Sequence, residues 1–153
     1  MLAMHMANEL LNAPVALMLN VIAGAFVLFA SARTRAGFDP QRVPLMGVMG
    51  AFVFAAEMIN FPILCVASGH LGGGVLLAIL LGPHAGTLVM ASILIFQCLI
   101  FQDGGVLALG ANIINMGVVP CYLGYALFRM LTGEAPSARR LYVAVFVATL
   151  VGM

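Results

Sequence analysis

The stretch NFPILCVASGHLGGG, residues 60–74, lies between two apolar runs and carries one imidazole, that of His70. Pro62 ends the preceding run as a helix, and the four glycines of the stretch allow backbone conformations that other residues rarely adopt. The pattern predicts a loop between two helices that presents His70. Residue type alone leaves two interpretations open, a metal ligand or a histidine that closes a re-entrant turn by hydrogen-bonding a carbonyl.

The composition is that of an integral membrane protein. The chain has 153 residues, of which 64% are hydrophobic and 7% charged, whereas a soluble domain is about 25% charged, and its mean hydropathy is +1.17. Six arginines nearly balance five acids, so no basic surface indicates nucleic-acid binding. Lysine is absent, which excludes a Walker A motif and ATP hydrolysis by that route.

The cysteine spacing argues against a cysteine-based zinc or disulfide domain, and the first apolar run argues against a cleaved signal peptide. Cys65, Cys98 and Cys121 form no C-x-x-C motif, so a cysteine zinc site or a disulfide framework is not expected. Arg33 and Arg35 follow the first apolar run rather than precede it. That order is wrong for a cleaved signal peptide and favours a first membrane span.

Apolar runs of membrane-crossing length, separated by polar turns, predict an all-α bundle of at least six transmembrane helices in a single domain, residues 1–153. A kink is expected at Pro120, and residues 82–86 read as a turn. The sixth run is cut off at Met153, so the C-terminus is expected to lie within a truncated transmembrane helix. The predicted helices cover residues 14–32, 43–60, 72–81, 87–101 and 109–131, with the sixth beginning at Leu141.

The arginines predict the orientation of the bundle. They cluster in two loops, residues 33–42 and 129–140, that four predicted helices separate, so both fall on the cytoplasmic side as short basic loops should. The N-terminus and the His70 loop are then external, and the turn with His84 is internal. His5 and His70 are therefore predicted to share one side of the membrane.

Met4 and His5 suggest a nitrogen chelate. An N-terminal Met-His dipeptide offers its amine, the histidine amide nitrogen and the imidazole, and the imidazole of His70 would complete four nitrogens in a plane, the geometry typical of Ni²⁺ or Cu²⁺. Metal binding of this kind releases protons and strengthens as the pH rises. The chelate requires a free amine at Met4, so either translation starts there or residues 1–3 are removed.

Five segments, in order, resemble the CbiM/NikM family, the substrate-binding membrane components of energy-coupling-factor nickel and cobalt transporters. They are Met4-His5, RVPLMGV at 42–48, MINFP at 58–62, SGHL at 68–71 and LGANIINMG at 109–117. The resemblance implies a compact helical component whose N-terminal segment tucks into the bundle to bind the ion. Its metal ligands carry over to Met4, His5 and His70, and polar residues near the ion to Asn60, Ser68, Asn112 and Asn115.

The resemblance also implies partners and a location. The protein would be a multi-pass component of the bacterial or archaeal inner (plasma) membrane that captures external Ni²⁺ or Co²⁺ as its transported ion, with no cofactor. It would work with a coupling transmembrane subunit, ATPase subunits and, in some systems, a small accessory membrane subunit. It would not itself be an enzyme, since ATP hydrolysis belongs to the partners.

Other functions remain open on the sequence. A passive divalent-cation channel or permease would use the sparse polar groups as a path, and a purely structural membrane subunit would bind no metal. Ser68 and His70 lie too close in sequence for a nucleophile and its base, and the eleven methionines are spread as packing residues rather than as a Cu(I) path.

Glu57 departs from the family resemblance, in which an uncharged amide is common at this position. A carboxyl group inside a membrane bundle is costly and often functional. Four interpretations stay open: Glu57 pairs with an arginine, keeps a proton, adds charge near the metal, or hydrogen-bonds within the bundle.

Overall fold

The structure, a computed structural model, describes residues 11–37, 39–63, 67–133 and 137–152, with residues 60–63 and 67–70 described by their backbone. This part of the chain forms six helices and one β-hairpin. The predicted helical class is confirmed, but the His70 loop contains a two-stranded antiparallel sheet that the sequence did not predict. The elements are α1 (Ala13–Ala36), α2 (Val43–Glu57), β1 (Asn60–Ile63), β2 (Ala67–His70), α3 (Gly74–Leu81), α4 (Pro83–Ile100), α5 (Leu109–Thr132) and α6 (Ala138–Gly152).

Three helices are long and apolar enough to cross a membrane among the described residues, namely α1, α4 and α5. Large apolar side chains point outward from the bundle; Val21 and Leu28 on α1 are each 72% exposed. An apolar surface of this kind is expected to face the lipid tails of a membrane. The sequence predicts at least six spans and an external N-terminus. Spans beyond these three helices, and the orientation, stay predictions.

The short helix α3 lies at the centre of the bundle. Its Leu77 and Ala78 are fully buried, and α4 returns directly against it. A Cβ at Gly86 would lie 2.9 Å from the backbone nitrogen of Ala78, so only glycine permits this separation of α3 and α4. Close backbone approach at small residues is the usual way that membrane helices pack.

The connection between α3 and α4 is a single residue, shorter than the predicted turn over residues 82–86. Gly82 has φ +87°, a left-handed conformation that glycine adopts at little cost. Pro83 then occupies the first turn of α4, where its missing N–H breaks no helical hydrogen bond. His84 therefore lies in the first turn of a helix rather than in a loop.

Helix α5 widens in its middle. Residues Ile113–Val118 and Pro120–Gly124 have π-helical turns, where the sequence predicts a kink at Pro120. Proline lacks the N–H of a regular helical bond, and π turns accommodate such interruptions without breaking the helix. The predicted irregularity is present as a widening of the turns.

Asn20 on α1 joins the first half of that helix to the start of α5. Its Nδ2 donates to the carbonyls of Ala16 at 2.9 Å and Leu107 at 2.7 Å, and its Oδ1 accepts from the Gly110 amide at 3.0 Å. The Gly110 N–H belongs to the first turn of α5 and has no helical acceptor, so Asn20 caps α5 from another helix. The start of α1 is thereby fixed beside the start of α5.

The bundle has two distinct ends. One, here called the hairpin end, holds β1 and β2, the C-termini of α2 and α4, and the starts of α1 and α5. The opposite end, called the arginine end, holds all six arginines of the chain, at positions 33, 35, 42, 129, 139 and 140.

Candidate metal site

The hairpin places His70 by its backbone. The strands pair with Asn60 opposite His70 and Ile63 opposite Ala67, so His70 lies at the end of the hairpin nearest to α2 and α3. Asn60 follows Glu57, the last residue of α2, after two residues. The register of the sheet therefore defines which backbone position lies opposite the predicted ligand, namely Asn60.

The hairpin and the start of α1 share the same end of the bundle. Asn20 binds Leu107 and Gly110, a few residues beyond Asp103, whose amide donates to the Gln97 carbonyl at 3.2 Å. Gln97 in turn contacts Glu57, which precedes the hairpin. This series of contacts links Asn20 of α1, through the residues before and at the start of α5, to the C-termini of α4 and α2, and the hairpin begins just after α2.

The remaining predicted site residues fall in different places. Met4 and His5 lie outside the described residues, and Asn60 and Ser68 are described only by their backbone. Asn112 is buried, 6% exposed, whereas Asn115 on the same helix is exposed. No group of three or more His, Cys, Asp or Glu side chains comes together in the described part of the chain. The roles assigned to all these residues stay predictions.

His84 lies in the arginine half of the bundle, away from the hairpin. Its Nδ1 is 2.8 Å from the Tyr122 hydroxyl, and its ring packs edge-on against Phe29 at 5.5 Å between centroids. Arg33 stacks over the Phe29 ring at 5.3 Å. These contacts make His84 a packing residue in the first turn of α4.

Glu57 and Gln97 form a buried polar pair at the hairpin end that the sequence did not predict. Both side chains have no exposed surface, and Gln97 Nε2 donates to Glu57 Oε2 at 3.3 Å. Glu57 therefore hydrogen-bonds within the bundle, and the arginines lie at the other end, so the interpretation of an arginine pair is wrong. The signal available in the sequence was two polar residues at the C-termini of neighbouring helices.

A cavity of about 780 Å³ opens between α1, α2 and α4 toward the arginine end. Its lining includes Arg33 and His84, and also Phe54 of α2 and Phe96 of α4. These two rings and Phe101 pack together with centroids 5.7 to 5.9 Å apart. The three rings are here called the phenylalanine cluster; Phe54 and Phe96 of the cluster precede Glu57 and Gln97 on the same two helices.

Comparison with known proteins gives the family. The family described as "CbiM: Cobalt uptake substrate-specific transmembrane region" matches residues 5–153. A putative fused nickel transport protein, NikMN, of Archaeoglobus fulgidus is 38% identical over 150 residues, covering 98% of this chain and 48% of that protein. The cobalt transport protein CbiM of Desulforamulus reducens is 32% identical over 152 residues, covering 98% of this chain and 59% of that protein.

A solved structure agrees with these sequence matches. The crystal structure of a truncated transition metal transporter superposes with a TM-score of 0.85 at 31% identity, over 97% of this chain and 70% of that one. Fold and sequence similarity agree in assigning the chain to this family of transmembrane regions. The chain belongs to the CbiM family. It spans about half to three fifths of the length of the two relatives described above.

Proposed function

We propose that this chain is the substrate-binding membrane component of an ATP-driven importer of Ni²⁺ or Co²⁺. The amine and amide of Met4 and His5 and the imidazoles of His5 and His70 would hold the ion in a plane of four nitrogens, a field that favours nickel. The observation that carries the proposal is the hairpin, which fixes the backbone of His70 at the end of the bundle where α1 begins.

The partners follow from what the chain does not contain. It has no lysine and therefore no Walker A site, so import against a gradient needs ATPase subunits and a membrane subunit that couples them to the bundle. The proposed location is the bacterial or archaeal plasma membrane, with the hairpin end outside. The ion would be captured there and released at the arginine end.

Purified protein in liposomes tests capture against passive flow. We expect the chain alone to bind Ni²⁺ in a 1:1 complex and to take up no more than the binding stoichiometry, because release inward would need the partner subunits. Equilibrium dialysis measures the binding, and ⁶³Ni²⁺ accumulation inside the liposomes measures the uptake. Sustained uptake without partners would instead establish a channel or permease.

The N-terminus gives a separate test of the ligand set. We expect the mature protein expressed from its natural start to begin at Met4, because only then is the amine beside His5 free to coordinate. Intact-mass analysis reads the start directly. A matched variant with one residue appended before Met4 should lose most of its Ni²⁺ affinity, and unchanged affinity in a protein that begins at Met1 would remove the Met4 amine from the ligand set.

A further inference from the structure

The buried pair at the hairpin end leaves two oxygen atoms without a partner. Glu57 Oε1 and Gln97 Oε1 are both inaccessible and accept no hydrogen bond from the described part of the chain. An ionised carboxylate is acceptor-only, and a buried acceptor without a donor costs free energy comparable to a lost hydrogen bond. The pair as it stands lacks one donor.

Burial opposes the ionised form of Glu57 most strongly, and the charges around it act in the same direction. The Asp103 carboxylate lies near enough to act on it electrostatically, and the C-termini of α2 and α4, which carry partial negative charge, converge there. All six basic residues of the chain are at the arginine end. Among the described residues, the Gln97 side-chain amide and the Gly73 backbone amide favour the carboxylate.

A single proton supplies the missing donor. A proton on Glu57 Oε1 can be donated to Gln97 Oε1, while Gln97 Nε2 continues to donate to Glu57 Oε2. The acid and the amide then share two hydrogen bonds, and no charge is buried. We propose that Glu57 and Gln97 form a proton-binding site that is coupled to the metal site, so that binding of the cation at the hairpin releases this proton.

The coupling follows from proximity and rests on the proposed function. Asn60 is three residues beyond Glu57 and pairs across the sheet with His70, which puts the α-carbons of Glu57 and His70 within about 16 Å. A divalent cation at His70 favours the ionised carboxylate at that range, because buried charges are weakly screened. By linkage, loss of the proton then strengthens metal binding by the same factor.

Calorimetry of wild type and Glu57→Gln tests the coupling. Glutamine keeps the size and one hydrogen bond of Glu57 but carries no titratable proton. Titrations with Ni²⁺ in buffers of different ionisation enthalpy should show that Glu57→Gln releases about one proton fewer than wild type. For each unit by which the pH rises, the Ni²⁺ affinity of wild type should therefore increase by a factor up to about tenfold larger than that of Glu57→Gln. Asp39→Asn, at the arginine end, should match wild type. An equal proton count in wild type and Glu57→Gln overturns the proposal.

Infrared spectroscopy of the metal-free protein tests the proton without relying on metal binding. The C=O stretching band of a protonated carboxylic acid should be present in wild type at neutral pH, retained in Asp39→Asn and missing in Glu57→Gln. Added Ni²⁺ should remove the wild-type band. Absence of the band in metal-free wild type overturns the proposal. If the band is present but neither wild type nor any variant binds Ni²⁺, the proposed function is wrong. The coupling of the proton to a metal is then wrong as well, whereas the proton site itself is supported.

Discussion

Replacing His70 by alanine should weaken Ni²⁺ binding by at least about 100-fold. The substitution removes one of four proposed nitrogen donors, and even a residue that only supports a metal ligand typically changes affinity by about 10- to 100-fold. The side chain belongs to a strand whose pairing depends on backbone hydrogen bonds, so the hairpin and the bundle should survive the change. Metal titration of the purified protein, with thermal unfolding of the metal-free form as a folding check, measures both parts of the expectation.

His84 provides the matched control for His70. Replacement of His84 by glutamine keeps a hydrogen-bonding group for Tyr122, whose hydroxyl lies 2.8 Å from the imidazole, and changes a histidine at the other end of the bundle. Its Ni²⁺ affinity should stay within about twofold of wild type. Equal losses in the two variants, or none in His70→Ala, would contradict the proposed ligand set.

Gly110→Ala should destabilise the bundle by at least about 2 kcal/mol. The new Cβ would lie 2.5 Å from both Cα and the backbone nitrogen of Asn20, and backbone atoms cannot move aside as a flexible side chain can. Helices α1 and α5 would have to separate, which costs overpacking strain and the hydrogen bonds of Asn20. Reversible unfolding in mixed micelles, followed by circular dichroism, gives the free-energy difference.

Gly117 on the same helix is the control for Gly110. A Cβ there would meet Met90 Cγ at 3.6 Å, an ordinary van der Waals contact. Alanine has a higher helix propensity than glycine, so Gly117→Ala should be neutral or stabilising by up to about 1 kcal/mol. Similar destabilisation by both alanines would mean that the separation of α1 and α5 does not depend on Gly110.

The helices were predictable because their cause is local. Apolar runs of sufficient length indicate helix bounds that agree with the structure to within a few residues. Prolines in the first turn, Pro14 and Pro44, and glycines just after the last turn, Gly37 and Gly133, mark the ends of these helices. The exception is α4, which begins at Pro83 instead of residue 87. A glycine with positive φ can form the whole connection between two helices. The sequence of glycine, proline and histidine alone does not show that the connection is one residue long.

The hairpin and the buried pair were not predictable in the same way. Pairing of Asn60 with His70 depends on contacts across a turn in a segment that has neither alternating polarity nor a standard turn sequence. Glu57 and Gln97 are 40 residues apart, and their contact follows from how α2 packs on α4. The prediction that His5 and His70 share one side of the membrane rests on the positions of the arginines. It stays a prediction, since His5 lies outside the described residues.

The phenylalanine cluster bears on where the driving force acts. Phe54 and Phe96 of this cluster line the cavity that opens toward the arginines, and the hydrocarbon layer of a membrane carries most of a transmembrane voltage. In the proposed orientation, an ion held by His70 has not yet crossed that voltage. A divalent cation moving inward past the rings would gain about 4.6 kcal/mol for each 100 mV of inside-negative potential, so the membrane potential would favour release rather than capture.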